Sequence, residues 1–148
     1  MVEVKVKVLE HGVGLELPKL ATAGSAGADI RAAEDFSFGG MGQICAVKTG
    51  LSMEIPVGYE LQIRPRSGLA AKFGITVLNS PGTIDSDYRG EIVVLLVCLK
   101  HLFEPKSFKR GERIAQIVLQ PTVPTTYVEV TSLSDTERGE GGFGSTGV

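Results

Sequence analysis

Apolar residues in this chain recur mostly at every second position, the spacing of a strand with one face turned inward. Val2, Val4, Val6 and Val8 alternate with Glu3, Lys5 and Lys7. Leu51, Met53 and Ile55 alternate with Ser52 and Glu54, and Tyr59, Leu61 and Ile63 alternate with Glu60, Gln62 and Arg64. Phe73, Ile75 and Val77 repeat the pattern. Ile92 to Leu99 is instead a continuous apolar run, which predicts a strand buried on both faces. Ile114, Ile117 and Leu119, then Tyr127, Val128 and Val130, predict further strands. Nineteen glycines and seven prolines cut these runs short. Many short strands joined by tight turns predict an all-β sandwich or barrel such as a jelly roll.

One segment departs from the alternation. Ser67-Gly68-Leu69-Ala70-Ala71-Lys72-Phe73 is closed by Gly74, which predicts a short helix with Ser67 as its N-cap and a glycine just past its end. It follows Arg64-Pro65-Arg66 directly. Residues 134–148 hold five glycines and no periodicity. The chain therefore divides into a domain over 1–133 and a flexible arm over 134–148.

Charge narrows the partners. Fifteen basic against seventeen acidic side chains leave a net charge of −2, so no basic field exists for gripping a nucleic-acid backbone. The longest apolar run is far short of the roughly 20 residues of a membrane-spanning helix, and the amino terminus lacks the apolar core of a signal peptide. A cytoplasmic protein without nucleic-acid or membrane partners is expected. Cys45 and Cys98 each sit in an apolar stretch with no metal-ligand spacing around them, which predicts two buried, reduced thiols. His11 and His101 stand alone among turn-like residues, and no histidine-based catalytic set is indicated.

Five strings carry candidate chemistry. The free backbone N–H groups after Ser67, with Arg66 beside them, form a cradle for a small phosphate; a capped surface helix with a solvated arginine accounts for the same string. Asn79 to Glu91 packs carboxylates, an amide, Arg89 and Tyr88 into a turn before the most apolar strand. In extended chain Asp85 and Asp87 would face one side, where one could act as a base. Asp87, Arg89 and Glu91 could equally be a salt-bridge cluster capping that strand. Ser25 to Ile30 sets Asp29 at a strand start facing a ligand or an arginine, or in a plain turn. Arg110 to Gln116 is either a charged hairpin turn or a strand whose polar members enter a cavity. In Arg138 to Gly147, successive glycines could form a nest of N–H groups around an anion, with Phe143 free to stack on a flat ring, or the string is a linker.

Taken together, Ala26 to Ile30, Arg66 to Ala70, Gly82 to Glu91, Gly111 to Gln116 and Arg138 to Gly147 resemble the five ordered motifs of the trimeric deoxyuridine triphosphate nucleotidohydrolase (dUTPase) family. The likeness covers nearly the whole chain. It implies a β jelly roll of the dUTPase-like β-clip kind with one short helix, assembled as a homotrimer whose sites draw on motifs of different chains. It implies hydrolysis of dUTP to dUMP and pyrophosphate, with Asp85 as the general base that activates water and Asp87 as structural. Mg2+ would be held chiefly by the triphosphate, Asp29 reaching it through water. Arg66, Ser67, Gly68 and Gln116 would hold phosphates, and Arg138 the gamma phosphate. Asn79, Gly82, Thr83 and Ile84, with Val93 on the next strand, would frame the uracil. Tyr88 would pack under the deoxyribose, while Phe143, followed by Gly144, would stack on the base. The alternatives are a dCTP deaminase or bifunctional deaminase-hydrolase of the same fold, and a nucleotide sensor without catalysis.

Overall fold

The computed structural model describes residues 1–142. In chain order the elements are β1 (Lys5–Val8), a 3-10 turn (Glu10–Gly12), β2 (Ala28–Arg31), β3 (Phe36–Phe38), β4 (Ile44–Glu54), β5 (Tyr59–Arg64), α1 (Ser67–Phe73), β6 (Ile75–Val77), β7 (Gly82–Ile84), β8 (Glu91–Cys98), β9 (Lys106–Phe108) and β10 (Arg113–Pro121). One sheet has the order β1-β4-β8-β6, the second β2-β10-β5-β7, and β3 pairs with β9 in a small ribbon. Every pairing is antiparallel. Neighbours in the sheets are mostly distant in sequence, which makes this an all-β sandwich of the jelly-roll type.

The period-two pattern explains the core. Ile30, Val47, Ile63, Ile75, Ile92, Val94, Leu96 and Ile114 are buried, together with Phe38 and Phe108 of the ribbon. Each such side chain removed from water contributes about 1.5–3 kcal/mol before ordering costs. Phe36 stacks on Phe108 at 4.7 Å between ring centres, closing one end of the sandwich.

Four expectations change. β8 is buried on both faces only at Leu96, Val97 and Cys98. Val93 is exposed and Leu95 half-buried, because β8 has one face covered by the opposite sheet and the other uncovered at its first half. Tyr127, Val128 and Val130 form no strand and are exposed, since β10 already has β2 and β5 on its two edges and offers no place for another. Cys98 is buried but Cys45 only half so; it stands near the open end of β4, between exposed Ile44 and exposed Ala46. Partial burial raises the Cys45 thiol above its usual value, which keeps it protonated and unreactive. Ser67 is the first residue of α1 rather than its N-cap: extended Arg66 takes that place, and no side chain caps the helix. Gly74 does close α1, in the left-handed conformation at φ 64°, as predicted.

No helix among the described residues is long and apolar enough to cross a membrane.

Candidate active site

The strand register assembles three of the five strings. Gln116 of β10 lies opposite Asp29 of β2 on one side and Arg64 of β5 on the other, so the three form a row across the second sheet. Two residues past Arg64 the chain turns into α1, which brings Arg66 to this row. The Asp29 carboxylate accepts from Arg66 Nε at 2.8 Å and from Arg113 Nη1 at 3.0 Å. Arg66 also donates to the Arg113 carbonyl. Gln116 Nε2 donates to the Pro65 carbonyl at 2.9 Å, and Gly27 leaves room for the amide, since a Cβ there would lie 2.5 Å from Gln116 Oε1. The result is an arginine fixed on two sides at the start of α1, beside the Ser67 hydroxyl that capping leaves uncommitted. Fixed guanidinium and free N–H groups in one place suit a phosphate. Arg113 is a member that sequence reasoning missed; its distance in sequence from Asp29 hid the pair.

The string from Asn79 to Glu91 does not fold back on itself as the expected hairpin, because β7 lies in one sheet and β6 and β8 in the other. β7 pairs with β5, with Gly82 opposite Ile63 and Ile84 opposite Leu61. Asn79 lies against Gly82, where a Cβ would meet its amide at 3.3 Å. Thr83 is exposed and Ile84 half-buried. Asp85 and Asp87 fall in the turn after β7, both exposed, so the shared face expected of an extended chain does not arise. Tyr88 closes that turn through a backbone bond to Asp85, N–H to carbonyl at 3.2 Å, and its hydroxyl donates to the Glu91 carbonyl at 3.0 Å. Its ring covers Gly90, where a Cβ would run into the phenol. The alternative salt-bridge cluster is not formed. Arg89 donates to the carbonyls of Ser86 and Tyr88, and Glu91 turns instead to His11, 2.6 Å away.

Glu91 Oε1 also accepts the Gly50 N–H at 2.8 Å. Burial works against the Glu91 charge, but the His11 and Gly50 hydrogen bonds prevail and hold the carboxyl below its usual range. A carboxyl held low in the fold adds stability that is present above its unfolded value, about 4.3, and lost as pH falls through the folded one. Thermal melts of Glu91→Gln should therefore show a lower midpoint at neutral pH and a shallower decline on acidification than the parent chain; parallel curves would mean that Glu91 adds no acid-sensitive stability.

In the arm, Arg138 is exposed and its Nε donates to the Gly141 carbonyl at 2.8 Å. Phe143 and Gly144 lie outside the described residues.

Among the described residues no group of three His, Cys, Asp or Glu side chains could hold a metal ion. Both Asp29 oxygens are engaged by arginines, yet each keeps a lone pair able to accept from a metal-bound water. These residues fit a metal carried in by phosphate and touched through water, and do not build a site that would hold one alone.

A jelly roll that fixes an arginine beside a free serine at a helix start, and carries carboxylates in an exposed turn, has the parts of a hydrolase of nucleotide phosphates. The family model described as dUTPase matches residues 14–147, and the chain belongs to that family. It is 54% identical over 99% of both chains to the deoxyuridine 5'-triphosphate nucleotidohydrolase of Anaplasma marginale. It is 56% identical, over 95% of this chain and 90% of the relative, to that of Rhizobium rhizogenes. Among solved structures, the Staphylococcus bacteriophage 80alpha dUTPase with dUPNHPP matches at a TM-score of 0.86 and 26% identity, covering 100% of both chains. The fold is also shared with a dUTPase mutant from phage phi11 of S. aureus described with a structural Mg(II) ion, at a TM-score of 0.75, 20% identity, and 88% and 98% coverage.

Proposed function

We propose that this chain hydrolyses dUTP to dUMP and pyrophosphate, with Asp85 as general base. The observation that carries the reading is the match to the dUTPase family over residues 14–147. Asp85 stands exposed on a turn, where its carboxylate can take a proton from a water in line with the leaving group. Arg66, held by Asp29, and the start of α1 at Ser67 and Gly68 hold phosphate oxygens, with Gln116 keeping the Pro65 segment in place. Bound with the triphosphate, Mg2+ would screen charge on the departing pyrophosphate. Asn79, Gly82, Thr83 and Ile84 form the uracil-reading segment, together with Val93. Cytosine presents the reverse donor and acceptor pattern and would leave buried groups unpaired. Arg138 and Phe143 act from the arm, on the gamma phosphate and the base.

The chain works as a homotrimer with divided sites. Support comes from the register of β5. Ile84 lies opposite Leu61, so Asp85 falls beside Glu60, whereas Gln116 and Asp29 lie level with Arg64 at the other end of the strand. Four residues of strand span about 13 Å, and Arg66 lies further on. That separation along one strand supports a site to which a second copy contributes.

Supplying dUTP and dCTP side by side, with detection of pyrophosphate and ammonia, tests the reading: pyrophosphate from dUTP is expected, and ammonia from dCTP would instead indicate the deaminase. Sugar choice gives a second check. A ring against C2′ leaves no space for a hydroxyl, so Tyr88→Ala should both lower kcat/KM for dUTP and narrow its ratio to that for UTP. An unchanged ratio would confine Tyr88 to supporting its loop.

A further inference from the structure

We propose that His11 is a positioning residue for the sugar pocket, acting on Tyr88 through Glu91. The proposal rests on the reading of Tyr88 given above. His11 belongs to none of the five motif strings, and its side chain reaches into one of them. Its Nε2–H meets Glu91 Oε1 at 2.6 Å, on the oxygen that also accepts the Gly50 N–H. The main-chain carbonyl of the same Glu91 accepts the Tyr88 hydroxyl. Glu91 is therefore gripped from two sides: its side chain by the 3-10 turn and β4, its backbone by the phenol.

The grip is firm on the far side. The 3-10 turn lies backbone against backbone on β4, where a Cβ on Gly12 would sit 2.5 Å from the Gly50 carbonyl oxygen. The Leu9 N–H donates to that carbonyl at 2.8 Å. Arg110 Nη2 ties the turn to the start of the fourth motif, donating to the carbonyls of His11 at 3.0 Å and Val13 at 2.8 Å. Here β4 carries extra residues between Lys48 and Ser52 against Val93 and Glu91 of β8, so the ladder is irregular next to the one pair, Ser52 with Glu91, that holds the start of β8. Thr49 Oγ1 compensates at Ile92, donating to its carbonyl at 2.6 Å. At Glu91 the histidine does so. Without it the first residue of β8 can shift, and with it the phenol that sets the clearance at C2′.

The test is a double-mutant cycle on the dUTP-to-UTP ratio of kcat/KM. His11→Ala should narrow the ratio about five-fold, the factor of roughly one net hydrogen bond, with thermal melts confirming a folded protein. His11→Gln, whose amide can reach Glu91 in place of Nε2, should stay within about two-fold of the parent chain. In a Tyr88→Ala background, His11→Ala should change the ratio no further. If His11→Ala does not fold, His11→Asn, too short to reach Glu91, takes its place. The proposal is overturned if the ratio is unchanged while Tyr88→Ala narrows it, if His11→Gln falls as far as alanine, or if the two substitutions add. A Tyr88→Ala ratio equal to that of the parent chain overturns the sugar reading itself, and is told apart by the single mutant alone.

Discussion

Asp85→Asn is expected to bind dUTP and to hydrolyse it at least roughly a hundred-fold more slowly, the loss that follows removal of a general base. The amide fills the same volume and cannot accept the proton of the attacking water. Because Asp85 is exposed on its turn and makes no side-chain hydrogen bond among the described residues, the exchange leaves the fold untouched, and melting temperatures of the two proteins should coincide. The separation of effects is the informative part: a kcat that collapses while KM holds identifies a group acting on the reacting atoms. Near-normal turnover in Asp85→Asn, with loss instead in Asp87→Asn, would reverse the two roles.

Removal of residues 138–148 should abolish most turnover while leaving a folded protein of unchanged oligomeric state. The last strand among the described residues ends at Pro121, and from Thr122 to Glu140 the chain is exposed throughout, so the described part of the arm contributes nothing to the core. What goes is Arg138 and Phe143, to which the proposed function assigns the gamma phosphate and the base, and with them the exclusion of water that such an arm would provide. Full activity after truncation would reduce the arm to a linker. A collapsed thermal transition would make it part of the folded structure.

Period-two alternation made most strands legible, because a residue's side on a strand depends only on its parity along the chain. Leu61 and Ile63 are buried where Gln62 is not, and the sequence alone says so. What parity cannot carry is the partner. Asp29 was recognisable as a carboxylate facing a ligand or an arginine, but that it faces Arg66 and Arg113 together follows from a strand order in which β2 and β10 are neighbours. The same limit hid the link from His11 to Glu91. It also misled at Tyr127, Val128 and Val130, whose alternation satisfies the pattern for a strand although they pair with none and stay exposed. Ser67 was misassigned by one position, since composition favours serine as a cap and the backbone of Arg66 takes that place instead.

The opposite ends of β5 at which Asp85 and Arg66 sit have a consequence for heredity. In the divided site proposed above, a chain damaged at its turn would still lend sound arginines to a neighbour, and a chain damaged at its arginines would still lend a sound turn. Two variants that are each inactive alone would therefore restore one another when their chains mix, while two lesions at the same end of the strand would not. A lesion is then recessive or rescued according to where along a single strand it falls, and a map of which pairs rescue which would redraw, from crosses alone, the line that divides the site between copies.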